Sequence, residues 1–287
     1  MGTQASCHYC HTSVIPDDLL PDPEHWDGFL FLVSHPEWFT FPDFTSAFNS
    51  LLPASRRRLM VYVPTALCVV EQAEVDREEF YWSMATRRQL ALGFDEVAVL
   101  DLADSTVEEA EVLLGQHRLD CVYIEGGNTF ALRHYARRFD HVFRRDLSTR
   151  KYGFVGVSAG AILCGSTVQP ALWKGQAGDD PRPACIPDTD WDSFSASKAW
   201  DVCRGACFFM HFHEGWRSTV DEQTSQGGWA KSCIAISDFS ALVYRGSELP
   251  VWYHFGCVDN GDLELSADAT CGMSLSREFG LGAKPVA

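Results

Sequence analysis

Two short glycine-bearing stretches carry residue types suited to acyl chemistry. Gly156-Val157-Ser158-Ala159-Gly160 follows the apolar run Phe154-Val155-Gly156-Val157 and precedes Ala161-Ile162-Leu163, so Ser158 falls where a strand would turn into a helix. That is the context of a nucleophile elbow, in which small neighbours let the backbone bend sharply and lift the hydroxyl out of the sheet. Glu125-Gly126-Gly127-Asn128-Thr129-Phe130 follows an earlier apolar run. Adjacent glycines at the end of a strand allow close backbone approach and present amides. The amides of Gly127 and Ala159 together could form an oxyanion hole. Gly126 belongs to the same turn, and Asn128 and Thr129 could cap the following helix or touch substrate. A phosphate cradle is the competing use of these glycines, but no Lys-Ser/Thr continuation and no full G-x-G-x-x-G accompanies them.

A serine hydroxyl needs a base at neutral pH. Of the ten histidines, His117, His134 and His141 fall in expected helices, and His8, His11 and His25 lie in a polar N-terminal segment. His211 and His213 follow Phe208-Phe209-Met210 at an expected strand end, and in an extended chain their side chains share one face. His213 is the favoured base, because Glu214-Gly215-Trp216 takes the chain out of the sheet directly after it; His211 is then a packing or supporting residue. For the acid that orients the imidazole, Asp179, Asp180, Glu214 and Asp238 all remain open.

The elements that must position these residues are legible as short, continuous apolar runs: Phe29 to Val33, Leu59 to Val63, Val97 to Leu100, Cys121 to Ile124 and Phe154 to Val157. Continuous rather than alternating apolarity fits strands buried on both faces of a parallel sheet. Helical stretches separate them at 73–92, from Thr106, where a polar cap precedes an acid three residues on, and from Thr129 to Arg145. Strand and helix alternating at this spacing define an α/β fold with right-handed crossovers. Ala206 to Met210 and Ile234 to Ile236 resume the apolar runs, and Ala241 to Tyr244 with Val251 to Phe255 read as a hairpin. Residues 1–26 read as a disordered or surface-draped extension, 27–256 as a single α/β domain, and 257–287 as a C-terminal extension of uncertain structure.

Composition narrows the partners. A formal charge of −16, from 23 basic and 39 acidic residues, disfavours nucleic acid and anionic membranes, and no apolar stretch is long enough to span a bilayer. Eleven cysteines, several of them inside apolar runs, read as buried small hydrophobes of a reducing, cytoplasmic protein. Cys7-His8-Tyr9-Cys10-His11 formally matches a haem-attachment pattern, and Gly2 with Ser6 a minimal myristoylation pattern. Neither has supporting context, so no cofactor and no metal is expected. The Trp- and Phe-rich C-terminal half is compatible with a homodimer.

With Glu125-Gly126-Gly127-Asn128-Thr129-Phe130 and Gly156-Val157-Ser158-Ala159-Gly160-Ala161 at this spacing, the chain resembles the dipeptidase E / cyanophycinase group of serine peptidases, peptidase family S51. The resemblance covers roughly residues 27 to 256 and includes a first strand ending in Ser34. It implies a three-layer α/β sandwich with a mostly parallel central sheet, class I glutamine amidotransferase-like (flavodoxin-like), with serine at the nucleophile position. Ser158 would then be the nucleophile, His213 before Glu214 the base, and Asp179 or Asp180 the orienting acid, with a later family acid falling on Asp238. The implied activity is cleavage of a small peptide amide, foremost a dipeptide with N-terminal aspartate. A cyanophycinase-like or other amide or ester hydrolase, or a catalytically silent binder of a small metabolite, are the alternatives. The chain departs from the pattern in carrying Glu125 where many members have a third glycine, and Phe212 where proline often precedes the histidine.

Overall fold

The computed structural model describes residues 28–52, 57–68, 76–116, 119–149, 152–175, 186, 189–202, 205–226, 230, 232–238, 240–245, 251–257, 263–268 and 273–276. Residues 1–26, read above as an extension, lie outside this set. Five parallel strands form the centre: β1 (Phe29–Val33), β2 (Leu59–Val63), β3 (Glu96–Val99), β4 (Leu119–Ile124) and β5 (Gly153–Val157). Every residue of β1, β2, β4 and β5 is buried, which is why their sequences are apolar throughout except at Asp120 of β4, which accepts the Leu59 amide at 2.9 Å. Three antiparallel strands, β8 (Ser240–Arg245), β9 (Val251–Cys257) and β10 (Leu263–Asp268), extend the sheet beyond β1 to give the order β10-β9-β8-β1-β5-β4-β2-β3.

Helices cover both faces. α1 (Pro42–Leu51) and α2 (Arg77–Leu92) pack on the face carrying Phe29, Phe31, Met60, Tyr62 and Tyr123. α3 (Val107–Leu114), α4 (Thr129–Ala136), α5 (Asp140–Thr149) and α6 (Ala159–Cys164) pack on the face carrying Leu30, Leu32, Val61, Val122 and Phe154. Connections that travel toward β3 therefore run over one face and those that return run over the other, as a constant crossover hand requires. The result is a mixed α/β sandwich of the flavodoxin-like, class I glutamine amidotransferase-like type.

Local chemistry accounts for several boundaries. Asp76 caps α2 by accepting from the amides of Glu78 and Glu79, and Gly93 ends it in the left-handed region at φ 73°. Thr106 and Glu109 form the expected capping box on α3. The stretch from Thr129 to Arg145 is two helices rather than one, separated by a 3₁₀ turn at Arg137–Phe139. The Arg137 side chain leaves the helix surface there, donating to the Ala196 carbonyl at 2.9 Å and lying 5.1 Å over the Trp191 ring.

A smaller sheet sits beside the first: β6 (Ala206–Phe212) runs parallel to β7 (Ser232–Ser237), and β11 (Met273–Ser276) pairs antiparallel with β7. α7 (Gln169–Gly175) and α9 (Arg217–Gln226) pack against it, while α8 (Phe194–Ser197) lies in the connection before β6. The segment 257–287 thus supplies β10 to one sheet and β11 to the other, so the architecture continues past residue 256. Among the described residues, no helix is long and apolar enough to cross a membrane.

Candidate active site

The site forms where β1, β2, β4 and β5 end. On the two sides of β2 and β4 the chain leaves in opposite senses, and such a switch point opens a crevice at the carboxyl ends of the strands. Gly126 and Gly127 line it. The amide of Asn128 donates to the Ala66 carbonyl at 2.8 Å, and that of Glu125 to the Val63 carbonyl at 3.0 Å, so the turn is stitched to the end of β2. Gly127 has φ 137°, and a side chain on it would place Cβ 2.3 Å from the Ala66 carbonyl oxygen. Only glycine satisfies both constraints. Asn128 caps α4 by accepting the Ala131 amide at 2.9 Å, and Thr129 is buried at the start of that helix.

Ser158 occupies the turn between β5 and α6 with φ 44° and ψ −103°, a conformation costly for a residue with a side chain, about 1–3 kcal/mol. Its amide donates to the Val33 carbonyl at 2.8 Å, which holds the turn against β1. The two glycine motifs meet here: a Cβ on Gly126 would lie 3.2 Å from the Ser158 Cβ, and one on Gly160 would lie 2.4 Å from the Ile124 carbonyl oxygen.

The imidazole that reaches Ser158 belongs to His211. Ser158 Oγ and His211 Nε2 are 2.8 Å apart, and His211 Nδ1 lies 2.6 Å from Asp238 Oδ1. With Nδ1–H donating to the carboxylate, Nε2 presents its lone pair to the hydroxyl. Burial lowers the His211 pKa below its ordinary value; the nearby Lys174 charge adds to this and Asp238 opposes it. Lys174, on α7, donates to the Met210 carbonyl at 2.5 Å and lies 4.9 Å over the Phe209 ring, and burial pushes its own pKa down to about 8.

His213, the base expected from sequence, is elsewhere. It precedes the 3₁₀ turn Glu214–Trp216, is exposed, and accepts the Gly215 amide on Nδ1 at 3.2 Å. The shared-face expectation fails because β6 is not regularly extended: its register with β7 shifts between Met210 and Phe212, and His211 itself has φ 55°. A left-handed residue breaks the two-residue alternation of a strand and turns one ring separately from the next. Glu214 pairs with Arg217 at 2.5 Å. Asp179 and Asp180 lie outside the described residues, and the acid that meets the imidazole is Asp238, at the end of β7.

The end of β1, to which no local sequence pattern assigns a role, touches every member of this cluster. Ser34, 1% exposed, donates from Oγ to the carbonyls of Ile236 and Ser237, each at 3.1 Å, and accepts the His211 amide at 3.1 Å. His35 Nε2 lies 3.4 Å from Asp238 Oδ1, and its ring meets that of His211 edge-on with centroids 4.8 Å apart. A serine directly after an apolar strand is a weak signal by itself, because the strands it joins come from far along the chain. Behind the glycine turn, Glu125 is 3% exposed and accepts from Arg88 Nε at 2.8 Å, Tyr62 OH at 3.0 Å and the Gly126 amide at 3.1 Å.

A serine on a strained strand-to-helix turn, faced by an imidazole and a carboxylate, thus lies at the carboxyl edge of the parallel sheet of an amidotransferase-like α/β fold. The sequence profile of peptidase family S51 matches residues 30–250, and the chain belongs to that family. No curated protein matches it. Among solved structures it is similar to a Listeria monocytogenes EGD-e protein named for peptidase E, with 20% identity and a TM-score of 0.55 over 80% of this chain and 99% of that one. It is also similar to a peptidase from an acI-B1 actinobacterium, with 18% identity and a TM-score of 0.55 over 87% of this chain and 96% of that one. These two likenesses concern the fold.

Proposed function

We propose that the protein is a serine peptidase of small substrates in which Ser158 is the nucleophile, His211 the general base and Asp238 the orienting acid. The observation that carries this reading is the continuous contact from Ser158 Oγ through the His211 ring to Asp238, at 2.8 and 2.6 Å. Two further features support it. Ser158 and His211 are two of the three non-glycine residues with positive φ among the described residues, and such strain persists where the surroundings over-determine a working geometry. Glu125 occupies the Gly126 amide, which leaves the Gly127 amide, with that of Ala159, as the pair to meet an oxyanion.

In this mechanism His211 Nε2 takes the Ser158 proton as Oγ attacks the scissile carbonyl carbon. The amides of Gly127 and Ala159 take the charge that develops on the carbonyl oxygen. Asp238 fixes the tautomer of the neutral imidazole and stabilises the imidazolium that forms; Nε2–H then protonates the leaving amine. Water, deprotonated by the same nitrogen, releases the acid product from the acyl-enzyme. No cofactor enters these steps. A dipeptide with N-terminal aspartate is the substrate this reading favours. Its carboxylate would need a local positive charge in a chain of formal charge −16.

The test is a panel of Asp-X, Glu-X and neutral dipeptides with β-aspartyl compounds alongside, assayed against the wild type and Ser158→Ala. Hydrolysis of Asp-X above the others, lost in the variant, is expected. Turnover that persists in Ser158→Ala contradicts the mechanism, and preference for β-aspartyl compounds contradicts the substrate.

A further inference from the structure

We propose that His35, Asp238 and His211 form a binding site for a divalent transition-metal ion, Zn²⁺ foremost, whose occupation switches the proposed catalytic serine off. The inhibitory half of the proposal rests on the role given to His211 above; the binding half does not.

One ligand atom from each of the three residues lies within 4.8 Å of the other two. Ligands about 2.0–2.1 Å from a tetrahedral ion stand roughly 3.3 Å from one another. His35 Nε2 and Asp238 Oδ1, at 3.4 Å, already have that separation. His211 Nδ1 and Asp238 Oδ1, at 2.6 Å, are held together by a proton, and an ion that replaces the proton needs them to part by less than 1 Å. Two imidazoles and a carboxylate are a donor set suited to Zn²⁺ rather than to Mg²⁺ or Ca²⁺, which prefer oxygen. The three side chains are 46%, 41% and 31% exposed for His35, Asp238 and His211, so a hydrated ion reaches them and water can fill the remaining position. His35 has no part in the proton transfers proposed above, which leaves its placement on the carboxylate to be explained.

The consequence for chemistry follows from the two nitrogens of one ring. A metal on His211 Nδ1 leaves a neutral imidazole with its proton on Nε2, facing Ser158 Oγ. That nitrogen can then donate to the hydroxyl but cannot accept its proton. The ion also takes the Asp238 carboxylate that would stabilise the imidazolium. Metal binding and base catalysis are therefore mutually exclusive at His211, and inhibition is reversible on chelation.

The experiment uses the full chain and has two arms. In the first, Zn²⁺ is titrated against the rate at which a fluorophosphonate labels Ser158, in the wild type and in His35→Ala. Zn²⁺ is expected to slow labelling, EDTA to restore it, and loss of the His35 ligand to raise the inhibitory midpoint about tenfold or more. In the second arm, Co²⁺ is added to Ser158→Ala and to the double variant carrying His35→Ala. A nitrogen–oxygen site gives visible absorption without the near-ultraviolet sulfur-to-cobalt band that cysteine ligands would add. That visible band is expected in the first protein and lost in the second. An inhibitory midpoint unchanged by His35→Ala, or a cobalt spectrum indifferent to it, overturns the proposal. If Ser158 is not labelled at all, the mechanism fails, and the cobalt arm still decides the metal site.

Discussion

Substituting Ser34→Ala isolates the contribution of the strand end that gathers the cluster. The hydroxyl is 1% exposed, accepts the His211 amide and is shared between the Ile236 and Ser237 carbonyls. Removing it strands one partly buried N–H and deprives two carbonyls of a donor, while alanine fills nearly the same volume. Stranding a buried polar group costs about 1–3 kcal/mol, so stability should fall by about that much. The larger effect should be kinetic. The lost bond is the one holding the left-handed residue that carries the imidazole, and the two carbonyls immediately precede Asp238. A displacement of 1 Å in a reacting group costs roughly 100-fold, so the rate of Ser158 acylation should fall about 10- to 100-fold. Urea unfolding monitored by tryptophan fluorescence gives the first quantity, and the fluorophosphonate labelling rate gives the second. With dipeptide substrates the loss should appear in kcat rather than KM, because no substrate contact is removed. A variant within 0.5 kcal/mol and twofold of the wild type would refute the view that β1 holds the histidine and aspartate in register.

The same geometry gives further expectations. Glu125→Ala leaves the Arg88 guanidinium buried without its carboxylate and should destabilise the fold by about 3 kcal/mol, measured by denaturant unfolding, whereas Glu125→Gln, which keeps hydrogen bonds, should cost less. Because burial and the Lys174 charge lower the His211 pKa, His211 stays neutral to below its ordinary value of 6.5 and the acid limb of kcat/KM should lie below that pH. Lys174→Met removes a charge that opposes protonation, so it should move that limb upward in a pH–rate profile; a downward shift would contradict the assignment. Gly127→Ala forces a Cβ to 2.3 Å from the Ala66 carbonyl oxygen at φ 137°, and labelling of Ser158 should fall by at least about 100-fold as the turn is displaced.

Strands buried on both faces write themselves into sequence as unbroken apolar runs, which is why Phe29–Val33 and Leu59–Val63 match the observed elements residue for residue. The proposed nucleophile was legible for a similar reason. A sharp turn between strand and helix demands small residues at fixed positions, and Ser158 stands among them. The partner histidine was not. Choosing between His211 and His213 depends on an irregularity in β6, where the His211 amide bonds to the Ser34 hydroxyl, 177 residues away, a contact that no local pattern encodes. Asp238 was one of four open acids because its closeness to His211 follows from β7 lying beside β6, a pairing invisible in the residues themselves. The break at Arg137 carries neither glycine nor proline, so the sequence offered nothing to end the helix there. Strands β10 and β11 are likewise fixed by distant partners rather than by their own composition.

In the proposed mechanism His211 acts on Ser158. The direct test is labelling of Ser158 by a fluorophosphonate in three proteins: the wild type, His211→Ala and His213→Ala. Fast stoichiometric labelling in the wild type, its collapse in His211→Ala and near-normal labelling in His213→Ala are expected. Labelling that survives the loss of His211, or that depends on His213 instead, would contradict it.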